Sequence, residues 1–271
     1  MIFRPGLCLA ATAIAALPAL IQIPEARAET PEEKGLRIAV EADRDDAGYG
    51  DSAAQMVMVL RNKQGETSER HFRNATLEVQ GDGDKSIAIF DRPPDIDGTA
   101  LLTYGHKSGS DDQWLYLPAL KRVKRISSSN KSGSFVGSEF AYEDLSSQEV
   151  EKYTYKWLAD EACPDAAEVV CDVLERYPTD ENSGYLRQIV WIDQDEYRAH
   201  KIDFYDRKDS LLKTLTMSDY REYLGRHWRP HLLSMVNHQT GKTTDLTVQE
   251  MTFKQGLSDR NFDQKALERA R

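Results

Sequence analysis

The stretch DQWLYLPALKRVKRI, Asp112 to Ile126, carries the reading of the fold. Its first half alternates: Trp114 and Tyr116 share one face of a strand, Leu115 and Leu117 the other. Pro118 has no N–H to give to a ladder and ends that strand. Leu120 to Ile126 then returns, which makes an antiparallel hairpin. The returning half is dense in charge. On a strand, Arg122 and Lys124 share one face, while Lys121, Val123 and Arg125 share the other. Both faces of an interior strand cannot be charged, so the hairpin stands at a sheet edge or one row lines a wet rim. Two uses fit these cations equally. One is docking of an acidic partner or lipid headgroups, and the other is protection of an open edge against pairing with another chain.

Outward from the hairpin the same period of two recurs. Gln55 to Arg61, Ser68 to Val79, Ser86 to Asp91 and Thr99 to Tyr104 precede it as strands, separated by turns at Gly65 and Gly81-Asp82-Gly83. After it come Tyr153 to Leu158, Glu168 to Arg176, Tyr185 to Ile192, Tyr197 to Tyr205, Leu211 to Met217, Trp228 to Asn237 and Thr243 to Phe253. The pattern predicts a chain of many strands and few helices. Helices are expected over Pro31 to Asp46, over Asp144 to Glu151, and over Asp259 to Arg269 behind a Ser258 cap. No strand alternates with a long helix, which excludes a doubly wound parallel sheet. Barrel, sandwich and curved half-barrel all remain open.

The first 28 residues read as a secretory signal peptide. Arg4 is followed by an apolar run from Leu7 to Ile23, and Ala26-Arg27-Ala28 supplies a cleavage pattern. The expectation is export to the periplasm, cleavage after Ala28 and a single domain over residues 29–271. The chain carries a net charge of −10, and losing Arg4, Glu25 and Arg27 leaves −11. An acidic chain of this kind has no general electrostatic case for binding nucleic acid or anionic membrane, and the basic hairpin is its one local exception. Cys8 leaves with the leader, and the even pair Cys163 and Cys171 favours one disulfide in an exported chain, with two free thiols as the alternative.

Catalytic and metal patterns are missing from the sequence. His227 and His231 are four apart, but Pro230 lies between them and no Glu follows His227. Gly133 to Gly137 is not a serine elbow, and no phosphate loop occurs. Asp82, Asp84, Asp95 and Asp97 do not fit a helix-loop-helix calcium loop. No enzyme activity, metal or cofactor is expected. Aromatic residues crowd the middle of the chain, among them Trp114, Tyr116, Phe135, Phe140, Tyr142 and Trp157. Phe135 stands in the Ser/Gly-rich loop Ser127 to Ser138. It reads either as a mobile apolar residue at a cavity mouth or as a plug that holds the loop down.

Trp114 to Ile126 resembles a hallmark segment of the outer membrane lipoprotein-sorting proteins, distant relatives of the periplasmic lipoprotein carrier LolA. Gly133 to Leu145 resembles their second hallmark, with Ser138-Glu139 where Thr-Asp is more usual. Tyr185 to Asp193, Tyr205 to Lys213 and Phe262 to Leu267 are similar as well. The resemblance implies a mainly β fold, an unclosed antiparallel half-barrel covered by a few helices, with an apolar space between sheet and helices. It implies a carrier or binding protein for a lipid, a lipoprotein acyl chain or another apolar ligand, working with a membrane exporter or outer-membrane acceptor. On this reading Trp114, Tyr116, Leu117, Phe135, Phe140 and Tyr142 line the cavity or its mouth, and Lys121, Arg122, Lys124 and Arg125 meet the partner. The alternative is a structural or sensing module that binds a protein through the basic hairpin.

Overall fold

The computed structural model describes residues 27–269, so the expected leader falls almost wholly outside the described residues. Thirteen strands form one antiparallel sheet. The first six are β1 (Asp51–Arg61), β2 (Thr67–Leu77), β3 (Lys85–Arg92), β4 (Ala100–Tyr104), β5 (Asp112–Leu117) and β6 (Arg122–Ile126). The second group opens with β7 (Tyr153–Cys163), β8 (Ala166–Pro178) and β9 (Tyr185–Asp193). It continues through β10 (Ala199–Asp206), β11 (Leu211–Tyr223), β12 (His227–Asn237) and β13 (Thr243–Phe253). Within each group every strand pairs with its sequence neighbour. One long-range seam, β1 against β13, joins the two meanders, with Met58 opposite Leu246. The edges are β6 and β7, which do not meet, so the half-barrel stays open.

Those two edge strands are consecutive in sequence. Their connection, residues 127–152, must therefore cross from one edge of the sheet to the other. It does so over the inner face, as a strap. Two short 3-10 turns, Tyr142–Leu145 and Val150–Lys152, stand where the sequence predicted a helix over Asp144 to Glu151. The strap is tied into the molecule. Within it Phe135 N donates to Phe140 O (2.8 Å) and Tyr142 N to Gly133 O (3.1 Å). Its aromatic residues Phe135, Phe140 and Tyr142 drop into the inner core among Met58, Phe90, Leu101, Phe204 and Leu246.

Helix α1 (Pro31–Asp46) begins on a capping box: Thr30 Oγ1 accepts from Glu33 N, and Glu33 Oε2 accepts from Thr30 N. Ile38 and Ala39 pack on Tyr155 and Leu174 of the inner face. Gly35 permits this approach, because a Cβ there would sit 2.8 Å from the Trp157 backbone nitrogen. Arg226 closes the far end by donating to the carbonyls of Asp45 (2.6 Å) and Ala47 (3.1 Å). The C-terminal helix is shorter than expected. It comprises α2 (Gln264–Glu268), capped by Asp263, after a 3-10 turn at Asp259–Asn261. It lies on the outer face, where Phe262 and Leu267 cover Ile87, Ala100 and Leu102. Cys163 and Cys171 form a disulfide across the β7–β8 hairpin.

Candidate functional site

The strap leaves space on both sides of itself. The larger cavity, about 500 Å³, lies toward β8–β12. Its floor is apolar: Ile202 and Phe204 come from β10, Leu215 and Met217 from β11, and Leu233 from β12. These positions are spaced by two along their strands, so the pleat sends all of them to the inner face. A smaller cavity of about 270 Å³ lies on the other side, lined by Met56, Met58, Phe72, Phe135 and Leu246.

The strap and its neighbours give the large cavity a charged mouth. Lys131 pairs with Asp180 at 2.7 Å, and Lys152 with Asp111 at 2.8 Å. Burial works against the Asp180 carboxylate, but Lys131, the Asn182 N–H and Ser110 outweigh it and hold its pKa below the ordinary range. Glu143 behaves in the opposite way. Burial pushes its carboxyl up, although Ser183 Oγ and Gly184 N donate to it. Beside the floor, on the same inner face, Lys213 donates to Asp144 Oδ2 (2.6 Å) and Glu139 O (3.0 Å), and Tyr185 OH donates to Asp144 Oδ1 (2.7 Å). This buried cluster fastens the strap to the sheet. Arg176 and Gln188 of the inner face, with Gln148 and Tyr153 from the strap side, complete the wall. The arrangement offers an apolar floor and a polar rim, which suits holding an amphiphile.

None of the six aromatic and apolar residues expected at the ligand lines the large cavity. Trp114 and Tyr116 lie on the outer face, packed with Tyr104 and the α2 segment. Leu117 ends β5 half-buried, outside the cores. Phe135 is 1% exposed, with its ring tilted against Phe90 (5.5 Å between centroids) and edge-on to Tyr142 (6.0 Å). Of the two readings of Phe135, the plug is the one its burial fits, and the expected mobile mouth residue is not seen. It lines only the smaller cavity, and Phe140 and Tyr142 are core residues beside it.

The basic hairpin is indeed the sheet edge. Arg125 is engaged with Asp112, whereas Lys121, Arg122 and Lys124 have no carboxylate within salt-bridge reach among the described residues. Sequence reasoning missed the floor residues and Arg176. Their signal was present as the alternation Ile202, Phe204 and Leu215, Met217, but alternation alone does not say which strands lack a cover.

An open antiparallel half-barrel with its inner face spanned by a strap and a helix is a LolA-like fold. Comparison with known proteins gives the same class. Residues 82–269 match a family model described as "-like: Uncharacterized protein". No curated protein matches the chain. A Vibrio parahaemolyticus crystal structure, provisionally named an outer membrane lipoprotein-sorting protein domain, is 55% identical. That match covers 88% of this chain and 99% of that one, with a TM-score of 0.85. A DUF1329 family protein from Desulfovibrio piger is 32% identical over 88% and 99% of the two chains, with a TM-score of 0.81. A LolA superfamily protein from Nitrosomonas europaea shares the fold at 20% identity, covering 86% and 98%, with a TM-score of 0.68. The chain belongs to the family of the Vibrio parahaemolyticus and Desulfovibrio piger proteins, and it shares the half-barrel fold of the Nitrosomonas europaea protein.

Proposed function

We propose that the chain is exported, loses residues 1–28, and carries an apolar ligand, a lipid or a lipoprotein acyl chain, through the periplasm as one domain. The observation that carries this reading is the cavity of about 500 Å³ floored by Ile202, Phe204, Leu215, Met217 and Leu233. Each CH₂ of a tail moved from water onto such a floor gains about 0.8 kcal/mol. The size falls within the range of about 300–1,000 Å³ found for small-ligand sites. The Vibrio relative's sorting name supports the same reading.

Delipidated protein should take up radiolabelled hexadecanol saturably. Met217→Trp, which fills the floor, should weaken uptake about tenfold or more, equivalent to about 1.4 kcal/mol, with little change in melting temperature. A parent protein that folds but shows no saturable uptake would leave the structural or sensing module as the better reading.

The edge strand has its own role in this proposal. Lys121, Arg122 and Lys124, beside a Leu120 that is 63% exposed at the turn, suit an anionic membrane surface: the leucine enters the interface and the cations meet headgroups. Arg125 contributes less, because Asp112 already holds it.

A further inference from the structure

Resting on the carrier reading, we propose that the ligand is an anionic amphiphile, a long-chain carboxylate or phosphate monoester, with its headgroup on Arg176 and its tail on the apolar floor. Arg176 lines the large cavity, yet the residue is only 9% exposed. Its Nε donates to Gln188 Oε1 (2.8 Å) and its Nη2 to Gln148 Oε1 (3.0 Å), both of them neutral amides. Among the described residues no carboxylate lies within 4.0 Å of this guanidinium, and Nη1 makes no hydrogen bond. The Tyr153 ring, 4.3 Å away, offsets part of the charge.

The neighbouring charges are already committed. Asp111, Asp180 and Asp144 are held by Lys152, Lys131 and Lys213. Glu143, also at the wall, is held by Ser183 and Gly184 and is pushed toward its neutral form by burial. Glu181 stands exposed at the rim. Arginine does not give up its proton, and a buried charge without a counterion is costly. An oxyanion in the cavity would accept a charge-assisted hydrogen bond from Nη1, which no group among the described residues engages.

The placement of the two ends also fits. Arg176 is on β8 and the floor on β10–β12, two to four strand spacings away, or about 10–19 Å. A long alkyl tail covers that span. One charged end and one greasy end, separated by this distance, describe an amphiphile better than a uniformly apolar molecule.

The test titrates delipidated full-length mature protein at pH 8 with hexadecanoate, hexadecyl phosphate and hexadecanol. Both anions should bind about tenfold or more tightly than the alcohol. The tighter anion identifies carboxylate or phosphate as the source of the headgroup. Arg176→Gln should abolish the preference by bringing both anions down to the affinity that the same variant shows for hexadecanol, while Arg176→Lys should keep part of it. Equal binding of alcohol and anions by the parent overturns this inference and leaves the carrier reading standing. A preference that survives Arg176→Gln overturns the assignment to Arg176. No uptake of any probe overturns the carrier reading with it. If Arg176→Gln does not fold, the parent comparison and Arg176→Lys still decide.

Discussion

Lys213 shows what a single residue does for the site. Its side chain is 4% exposed, and it holds Asp144 and the Glu139 carbonyl, so one ammonium fixes two points of the strap to β11. Removing it strands a buried carboxylate. Lys213→Met should lose about 3–5 kcal/mol in chemical denaturation, and adding Asp144→Asn should restore most of that. A loss below about 1 kcal/mol for the single variant would mean that water already reaches the cluster. Residues of this sort were the least legible in the sequence. Lys213 reads as one more charge on a strand, because its partner is supplied by a segment 69 residues away. Phe135 failed differently. Its local surroundings are serine and glycine, which suggest mobility, but burial is set by what lies underneath, and that is Phe90.

Elements were read far better than sites. The capping box before α1, the turn glycines and the period-two runs are local signals, and the structure has helix and strands where they put them. Two expected helices shrank. Over 144–151 the chain makes two separate 3-10 turns, Tyr142–Leu145 and Val150–Lys152, in place of one helix. The C-terminal helix needs to reach only far enough to seat Phe262 and Leu267. The β7–β8 hairpin carries the prediction at this scale. Its disulfide staples an edge strand that has only one pairing partner. Replacing both Cys163 and Cys171 with Ala should cost about 2–3 kcal/mol, as expected for so short a loop, without unfolding the protein. Loss of folding would show that the edge depends on the bond rather than on its ladder.

For the molecule as a whole, the two open edges differ in kind. The β6 edge is cationic with Leu120 exposed, and the β7 edge is covered on its inner side by α1. Sedimentation with vesicles should therefore depend on the β6 edge alone. Arg122→Glu with Lys124→Glu should abolish binding to phosphatidylglycerol vesicles at low salt and leave the melting temperature nearly unchanged. Equal binding of parent and variant would return those cations to edge protection. The open sheet itself was not readable from the chain, since barrel, sandwich and half-barrel share one strand pattern and differ only in whether the ends meet. The β1–β13 seam has a further consequence, for the order of assembly. Every other pairing joins neighbours in sequence, so each meander can zip up hairpin by hairpin at small entropic cost. The seam alone must bring together strands that begin nearly two hundred residues apart. Refolding should therefore slow when Met58 or Leu246 is cut back to Ala, more than for a like change inside either meander.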